Sequence, residues 1–216
     1  MKRTSLAVAL AVAASVSLSS AHATIMISVF DNGALVGSVN SGTGSAAFSG
    51  SDASFSSISV NATGVPIVAM PDLGANTIDV STMSGFSGTH VLEIDVLQTG
   101  LSFGGGLAET TGTFNGLIGA PGPVTENMFV NGAIIMTHAF PASNGATGFG
   151  PVATTVGSVT SDEEQFLVTF TAGGQEFSGS MQFVATTVPE PASLALLGAG
   201  LAGLGFLRRR LRNPAA

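Results

Sequence analysis

Phe166-Leu167-Val168-Thr169-Phe170-Thr171-Ala172-Gly173-Gly174-Gln175-Glu176-Phe177-Ser178-Gly179-Ser180-Met181-Gln182-Phe183 decides the class of fold. Phe166, Val168 and Phe170 share one parity, with Leu167, Thr169 and Thr171 on the other. Beyond Ala172–Gln175, which has turn chemistry, Phe177, Gly179, Met181 and Phe183 alternate in the same way with Ser178, Ser180 and Gln182. Successive side chains of a strand point to opposite faces, so this period of two predicts two half-buried strands. The Gly-Gly turn between them predicts a β-hairpin.

The same pattern recurs outward from this stretch. Leu92, Ile94 and Val96 alternate with Glu93 and Asp95, and Asp31-Asn32-Gly33 separates strand-like residues 25–30 from 34–39. Further strands are expected at 55–61, 77–82, 109–114, 126–130 and 133–137, the last two joined by Asn131-Gly132. Residues 41–59 are mostly Ser, Gly and Ala, which fits a linker or a strand of small side chains. Closely spaced turns and scarce helical periodicity predict an all-β body, an antiparallel β-sandwich of jelly-roll-like type. The proline-bearing stretches 65–74 and 119–124 read as connections within one domain, and no fixed-period repeat points to a solenoid. With Trp and Tyr absent, the core has to be built around Phe.

Charge divides the chain sharply. All six bases lie at the ends, as Lys2, Arg3, Arg208, Arg209, Arg210 and Arg212, while the thirteen acids run from Asp31 to Glu190. A body without Lys or Arg has nothing to neutralise phosphates, which excludes nucleic acid as its partner. The absence of Cys excludes disulfides, thiol catalysis and thiolate-bound zinc.

Both ends read as addresses. Lys2 and Arg3, an apolar run over 6–18 and the small-x-small site Ala21-His22-Ala23 have the three parts of a secretory signal peptide at 1–23. Cleavage after Ala23 would pass the chain through Sec-type export machinery and leave a body of 24–187. The remaining 188–216 contain Pro189-Glu190-Pro191, sixteen uncharged residues at 192–207 and a basic cluster within 208–212. A helix over 192–207 would rise roughly 24 Å against a hydrocarbon core of about 30 Å, a short transmembrane span. The adjoining Arg208, Arg209, Arg210 and Arg212 would hold its C-terminal end on the cytoplasmic side and orient the acidic body outward. Gly198-Ala199-Gly200-Leu201-Ala202-Gly203 matches a dinucleotide fingerprint only in letters, since no strand precedes it. Ala195, Ala199 and Gly203 form a small-residue face that could pack on another helix.

The order of Pro189-Glu190-Pro191, short apolar helix and terminal arginines resembles a PEP-CTERM sorting signal. That resemblance covers the tail alone. It implies an exported protein recognised by exosortase, an integral-membrane transpeptidase, with cleavage near the motif, in bacteria that build exopolysaccharide or biofilm. The two prolines suit this role, because they keep the segment extended and out of any helix.

The body offers few catalytic groups. His90 and His138 could serve as bases or metal ligands, although a histidine near a strand end more commonly has a structural role. Gly85-Phe86-Ser87-Gly88-Thr89 falls short of a nucleophile elbow. Glu93 and Asp95 sit at i, i+2 on one strand face and could form a glycosidase-like carboxylate pair, or simply a solvated face. Asp162-Glu163-Glu164 reads as a charged turn ahead of an apolar strand. With Glu93 and Asp95, these three are also the weak calcium candidates, although no EF-hand-type loop is present and no cofactor is otherwise expected.

The expected function is therefore that of a non-enzymatic protein of the cell envelope or extracellular matrix. It would be anchored in the inner membrane before processing and associate with exopolysaccharide or other matrix components. The alternative is a secreted carbohydrate-active or other hydrolase using Glu93, Asp95 or a histidine. A calcium- or ice-binding surface module is the third reading.

Overall fold

The computed structural model describes residues 23–65, 71–118, 122–141 and 145–186, together with 199 and 201. Twelve strands follow one another: β1 (Thr24–Asp31), β2 (Ala34–Ser41), β3 (Ser45–Gly50), β4 (Phe55–Val65), β5 (Asp72–Thr82), β6 (His90–Phe103), β7 (Gly106–Ile118), β8 (Val124–Val130), β9 (Ala133–Phe140), β10 (Ala146–Val156), β11 (Val159–Phe170) and β12 (Glu176–Thr186). They form two six-stranded sheets, ordered β2-β1-β6-β11-β8-β9 (sheet A) and β10-β7-β12-β5-β4-β3 (sheet B). Every pairing is antiparallel. The all-β antiparallel sandwich read from alternation is the fold.

Alternation also sets what is buried. Leu92, Ile94 and Val96 of β6 and Phe166, Val168 and Phe170 of β11 face inward from sheet A, against Phe177, Met181 and Phe183 of β12. Phenylalanine dominates this interior: Phe55 and Phe170 meet edge to face with centroids 5.2 Å apart, and Phe114 stacks on Phe177 at 5.8 Å. Each such ring contributes about 1.5–3 kcal/mol on burial.

Both Asn-Gly turns form as expected. Asn32 and Gly33 have φ of 49° and 78°, and Asn131 and Gly132 have 51° and 76°, the left-handed pairs of a tight hairpin turn. The small-residue stretch 41–59 is strand at both ends, giving β3 and the start of β4. Residues 72–74 belong to β5 rather than to a connection. β10 gave no sequence expectation; it is an edge strand carrying Pro151, tolerated where the ladder is interrupted between Phe149 and Val152.

The expected hairpin at Ala172–Gln175 is overturned. β11 lies between β6 and β8 in sheet A, while β12 lies between β7 and β5 in sheet B, so the turn is a corner between sheets. Gln175 folds its side chain back, Oε1 accepting from the Thr171 and Ala172 amides at 2.7 and 3.0 Å. Its backbone amide donates to Thr82 Oγ1 at 2.8 Å, which fastens the corner to the end of β5. Gly-Gly chemistry encodes the reversal, but a strand buried on one face fits beside or across from its successor equally well. From β5 onward, every connection except β8–β9 passes from one sheet to the other.

The charged-turn reading of Asp162-Glu163-Glu164 is likewise corrected. All three lie inside β11, whose alternation continues through them, so Asp162 and Glu164 face the core and Glu163 faces out.

Candidate functional site

Glu93 and Asp95 project from the outer face of sheet A, where Asp95 is paired with Gln165 and Glu93 with Leu167. Gln165 Nε2 donates to Glu93 Oε1 at 2.8 Å and Asp95 Oδ1 at 3.1 Å. Its Oε1 accepts from Asn127 Nδ2 at 2.9 Å, and Asn127 Oδ1 accepts from Thr137 Oγ1 at 2.9 Å. One chain of hydrogen bonds therefore crosses β6, β11, β8 and β9. Burial pushes the Asp95 carboxyl up to about 6, opposed by the Gln165 bond and assisted by the charges of Glu93 and Glu163. Glu163 is also raised, by burial and by Glu93. The two carboxylates share one amide donor instead of facing each other across a cleft, the arrangement glycoside hydrolysis uses.

His90 begins β6 and meets the β1–β2 turn. Its Nδ1 lies 2.8 Å from Asp31 Oδ1 and Oδ2 and 3.3 Å from Ser54 Oγ. Serine, histidine and aspartate thus meet, but at a single ring nitrogen. A catalytic relay needs the acid on one nitrogen and the serine on the other. Phe86, with its centroid 4.7 Å away, and Phe55 at 6.2 Å pack against the ring, which ties the turn to the core. His138 lies far from this cluster in the sheet, between Phe140 and Phe149, with centroids 4.5 Å from each.

A third polar group is internal. Asp162, Glu164 and Glu126 are essentially without exposure, as is Gln98, which sits opposite Asp162 in the ladder. Glu164 Oε2 accepts from the Ala75 amide at 2.7 Å. Glu126 Oε1 and Oε2 and Gln98 Oε1 and Nε2 have no hydrogen-bond partner among the described residues. Burial raises Glu126 to about 9 and Asp162 to about 8, the latter against its own backbone amide and with Asp72 assisting. Glu164 is raised well above the carboxylate range by burial, with the Ala75 bond opposing and Asp162, Glu126 and Asp72 assisting. Burial thus favours the neutral form of all three carboxyls. The five calcium candidates are consequently divided: Glu93, Asp95 and Glu163 face outward, Asp162 and Glu164 inward. Among the described residues, no three His, Asp or Glu side chains converge as a metal site.

The outer face of sheet B carries a feature the sequence reading missed. A groove of about 610 Å³ crosses β5, β12, β7 and β10, lined by Asn76, Thr77, Thr113, Thr147, Ser178 and Ser180 among others. A hollow of about 190 Å³ adjoins it and shares Asn76, Thr113 and Ser180. No lining residue of either is charged. Two ladder irregularities border the groove. Ala75 and Thr77 of β5 pair with Ala62 and Asn61 of β4, which leaves Asn76 as an extra residue. In β10, residues 150 and 151 interrupt the pairing with β7. Such bulges bend a strand and re-aim its side chains. Serines 178 and 180 on the outer parity of β12 were visible in the sequence, but the bulge at Asn76 and the neighbourhood of β10 were not.

The sorting residues Pro189, Glu190 and Pro191, Arg208, Arg209, Arg210 and Arg212, and the cleavage-site residue Ala21 lie outside the described residues. Ala23, at the head of β1, is buried. Residues 199 and 201 are helical, while the rest of the expected 192–207 helix is not described. Among the described residues no helix is long and apolar enough to cross a membrane.

Fold and tail together define an antiparallel β-sandwich with a C-terminal sorting segment. Residues 187–210 match the PEP-CTERM protein-sorting motif, so the chain carries the sorting signal of exported proteins. No curated protein matches it in sequence. Similar solved structures include TmCBM61 in complex with beta-1,4-galactotriose, at 9% identity over 58% of this chain and 86% of that one, with a TM-score of 0.36. A family 35 carbohydrate binding module from Clostridium thermocellum has 12% identity over 51% and 90%, with a TM-score of 0.29. The C-terminal CBM6 of LamC from Zobellia galactanivorans has 10% identity over 51% and 100%, with a TM-score of 0.28.

Proposed function

We propose that this is a non-catalytic protein of the cell envelope or extracellular matrix, delivered by its tail and displaying the sandwich outside the cell. The observation that carries the reading is the sorting motif at 187–210, which begins directly after β12 ends at Thr186. In this scheme Sec-type machinery exports the chain, removing 1–23 after Ala23. Because Ala23 packs in the core, that cut has to precede folding. The helix at 192–207 then holds the protein in the inner membrane, Arg208–Arg210 and Arg212 orient it, and exosortase acts near Pro189–Pro191. The released body associates with polysaccharide or other matrix components.

Intact-mass measurement of the protein recovered from the envelope and medium tests this. The expected species starts at Thr24 and ends near residues 189–191. A surface species that extends through Arg212 would contradict processing. Replacing Arg208, Arg209, Arg210 and Arg212 with Ala is expected to reduce the processed form.

The hydrolase reading draws on the raised Asp95 carboxyl beside Glu93. Sugar release from polysaccharide that disappears in the Glu93→Ala, Asp95→Ala double variant would establish it in place of the display reading.

A further inference from the structure

We propose that the groove on the outer face of sheet B binds an uncharged polysaccharide chain. This rests on the display reading, which presents the body where such polymers are found, and it adds the site and the ligand class.

The lining selects by elimination. A metal ion would require carboxylates, and a phosphate or sulfate would require bases; the groove has neither. An apolar ligand would cover Asn76, Thr113, Ser178 and Ser180 without satisfying them, which costs free energy for each polar group desolvated. A neutral glycan carries many hydroxyls that both donate and accept, the same mixed capacity as the serine, threonine and asparagine side chains here. Some of that capacity is already committed. Thr113 Oγ1 and Ser180 Oγ lie 2.8 Å apart and share one proton, which leaves one hydroxyl hydrogen and several lone pairs for a ligand. Asn76 Nδ2 donates to Thr63 Oγ1, which fixes the amide while its second N–H and part of its carbonyl capacity remain.

Shape favours a chain over a single ring. β10 is the edge strand of sheet B, so the groove opens at the sheet margin, and its volume lies within the ~300–1,000 Å³ of ordinary ligand sites. Gly148, Ser178, Gly179 and Ser180 keep the floor low. The surrounding charge narrows the ligand further. Residues 24–187 contain acids and no Lys or Arg, so the body repels anionic polymers. Aromatic stacking plays no part, since Phe114, the aromatic residue of the lining, is fully buried.

Affinity electrophoresis of the exported protein tests the site, in gels containing a neutral glucan, galactan or mannan, or alginate as the anionic control. Retardation is expected in at least one neutral gel and not in alginate. Ser180→Phe fills the groove and should weaken that retardation at least about tenfold. Asn76→Ala and Thr113→Ala each remove one hydrogen-bonding group and should weaken it about 3- to 10-fold. Thermal melting of each variant checks that the fold is kept, and the two alanine variants stand in should Ser180→Phe fail to fold. Absence of retardation in every neutral gel, retardation that survives all three substitutions, or retardation only in alginate would overturn the proposal. Intact mass and surface protease accessibility, measured on the same preparation, report display separately, so either reading can fail while the other stands.

Discussion

Glu126 and Glu164 place carboxyl groups inside the sandwich of a body that has no Lys or Arg to pair with them. Their pKa values are raised in the folded state, so between about pH 4 and pH 8–9 the native protein binds more protons than the unfolded chain. Stability is then greatest below the unfolded carboxylate values near pH 4 and declines as pH rises toward about 8 for Asp162 and about 9 for Glu126. Each such group lowers the unfolding free energy by about 1.4 kcal/mol per pH unit within its window. Melting temperature measured at pH 5, 7 and 9 should fall steadily, and Glu126→Gln or Glu164→Gln should flatten the decline. A flat wild-type profile would show the acids to be paired or hydrated. Gly112 matters for a related reason: a Cβ there would collide with Glu126 Oε2 and the Phe149 ring. Gly112→Val should therefore destabilise by about 1–3 kcal/mol, as read by urea unfolding.

At the scale of elements, the two Asn-Gly hairpins perform the same task on opposite flanks of sheet A. Asn32 Oδ1 accepts from the Val91 amide at 2.9 Å, pinning β1–β2 to β6. Asn131 Oδ1 accepts from the Thr160 amide at 2.8 Å, and its Nδ2 donates to the Ser158 carbonyl at 2.6 Å, pinning β8–β9 to β11. Asn131→Ala loses both the clamp and a residue tolerant of positive φ, and should cost about 2–3 kcal/mol in denaturant unfolding. Asn32→Ala should cost less, about 1–2 kcal/mol, because its clamp accepts a single backbone amide. These turns were legible because Asn-Gly fixes both a conformation and a strand partner. The Ala172–Gln175 corner was not, because its destination depends on Thr82, ninety residues earlier in the chain. For the same reason the acidic run hid its direction. Three adjacent acids read as surface until the strand around them places alternate members in the core. The groove was the least legible of all, since it arises from a bulge at Asn76 that no local pattern announces.

For the whole molecule, cohesion comes from paired strands and phenylalanine, without a single Lys or Arg ion pair in the body. Phe170, which packs edge to face on Phe55, should cost about 3–5 kcal/mol when cut to Ala. The acids left ionised repel one another, so adding NaCl at pH 7 should raise the melting temperature through screening. A fall would show that the dispersed charge is not limiting. Thr186 ends a central strand, and only two residues, 187 and 188, separate it from Pro189, a leash of at most about 11 Å over the three steps. An enzyme working at that motif has to operate against the base of sheet B, and Gly-Ser insertions after Thr186 should hasten appearance of the cut form. The same short leash fixes which end of the sandwich lies nearest the motif. Ser180 lies six residues up β12, about 20 Å along the strand, so the groove sits well clear of the strand end that adjoins the sorting motif.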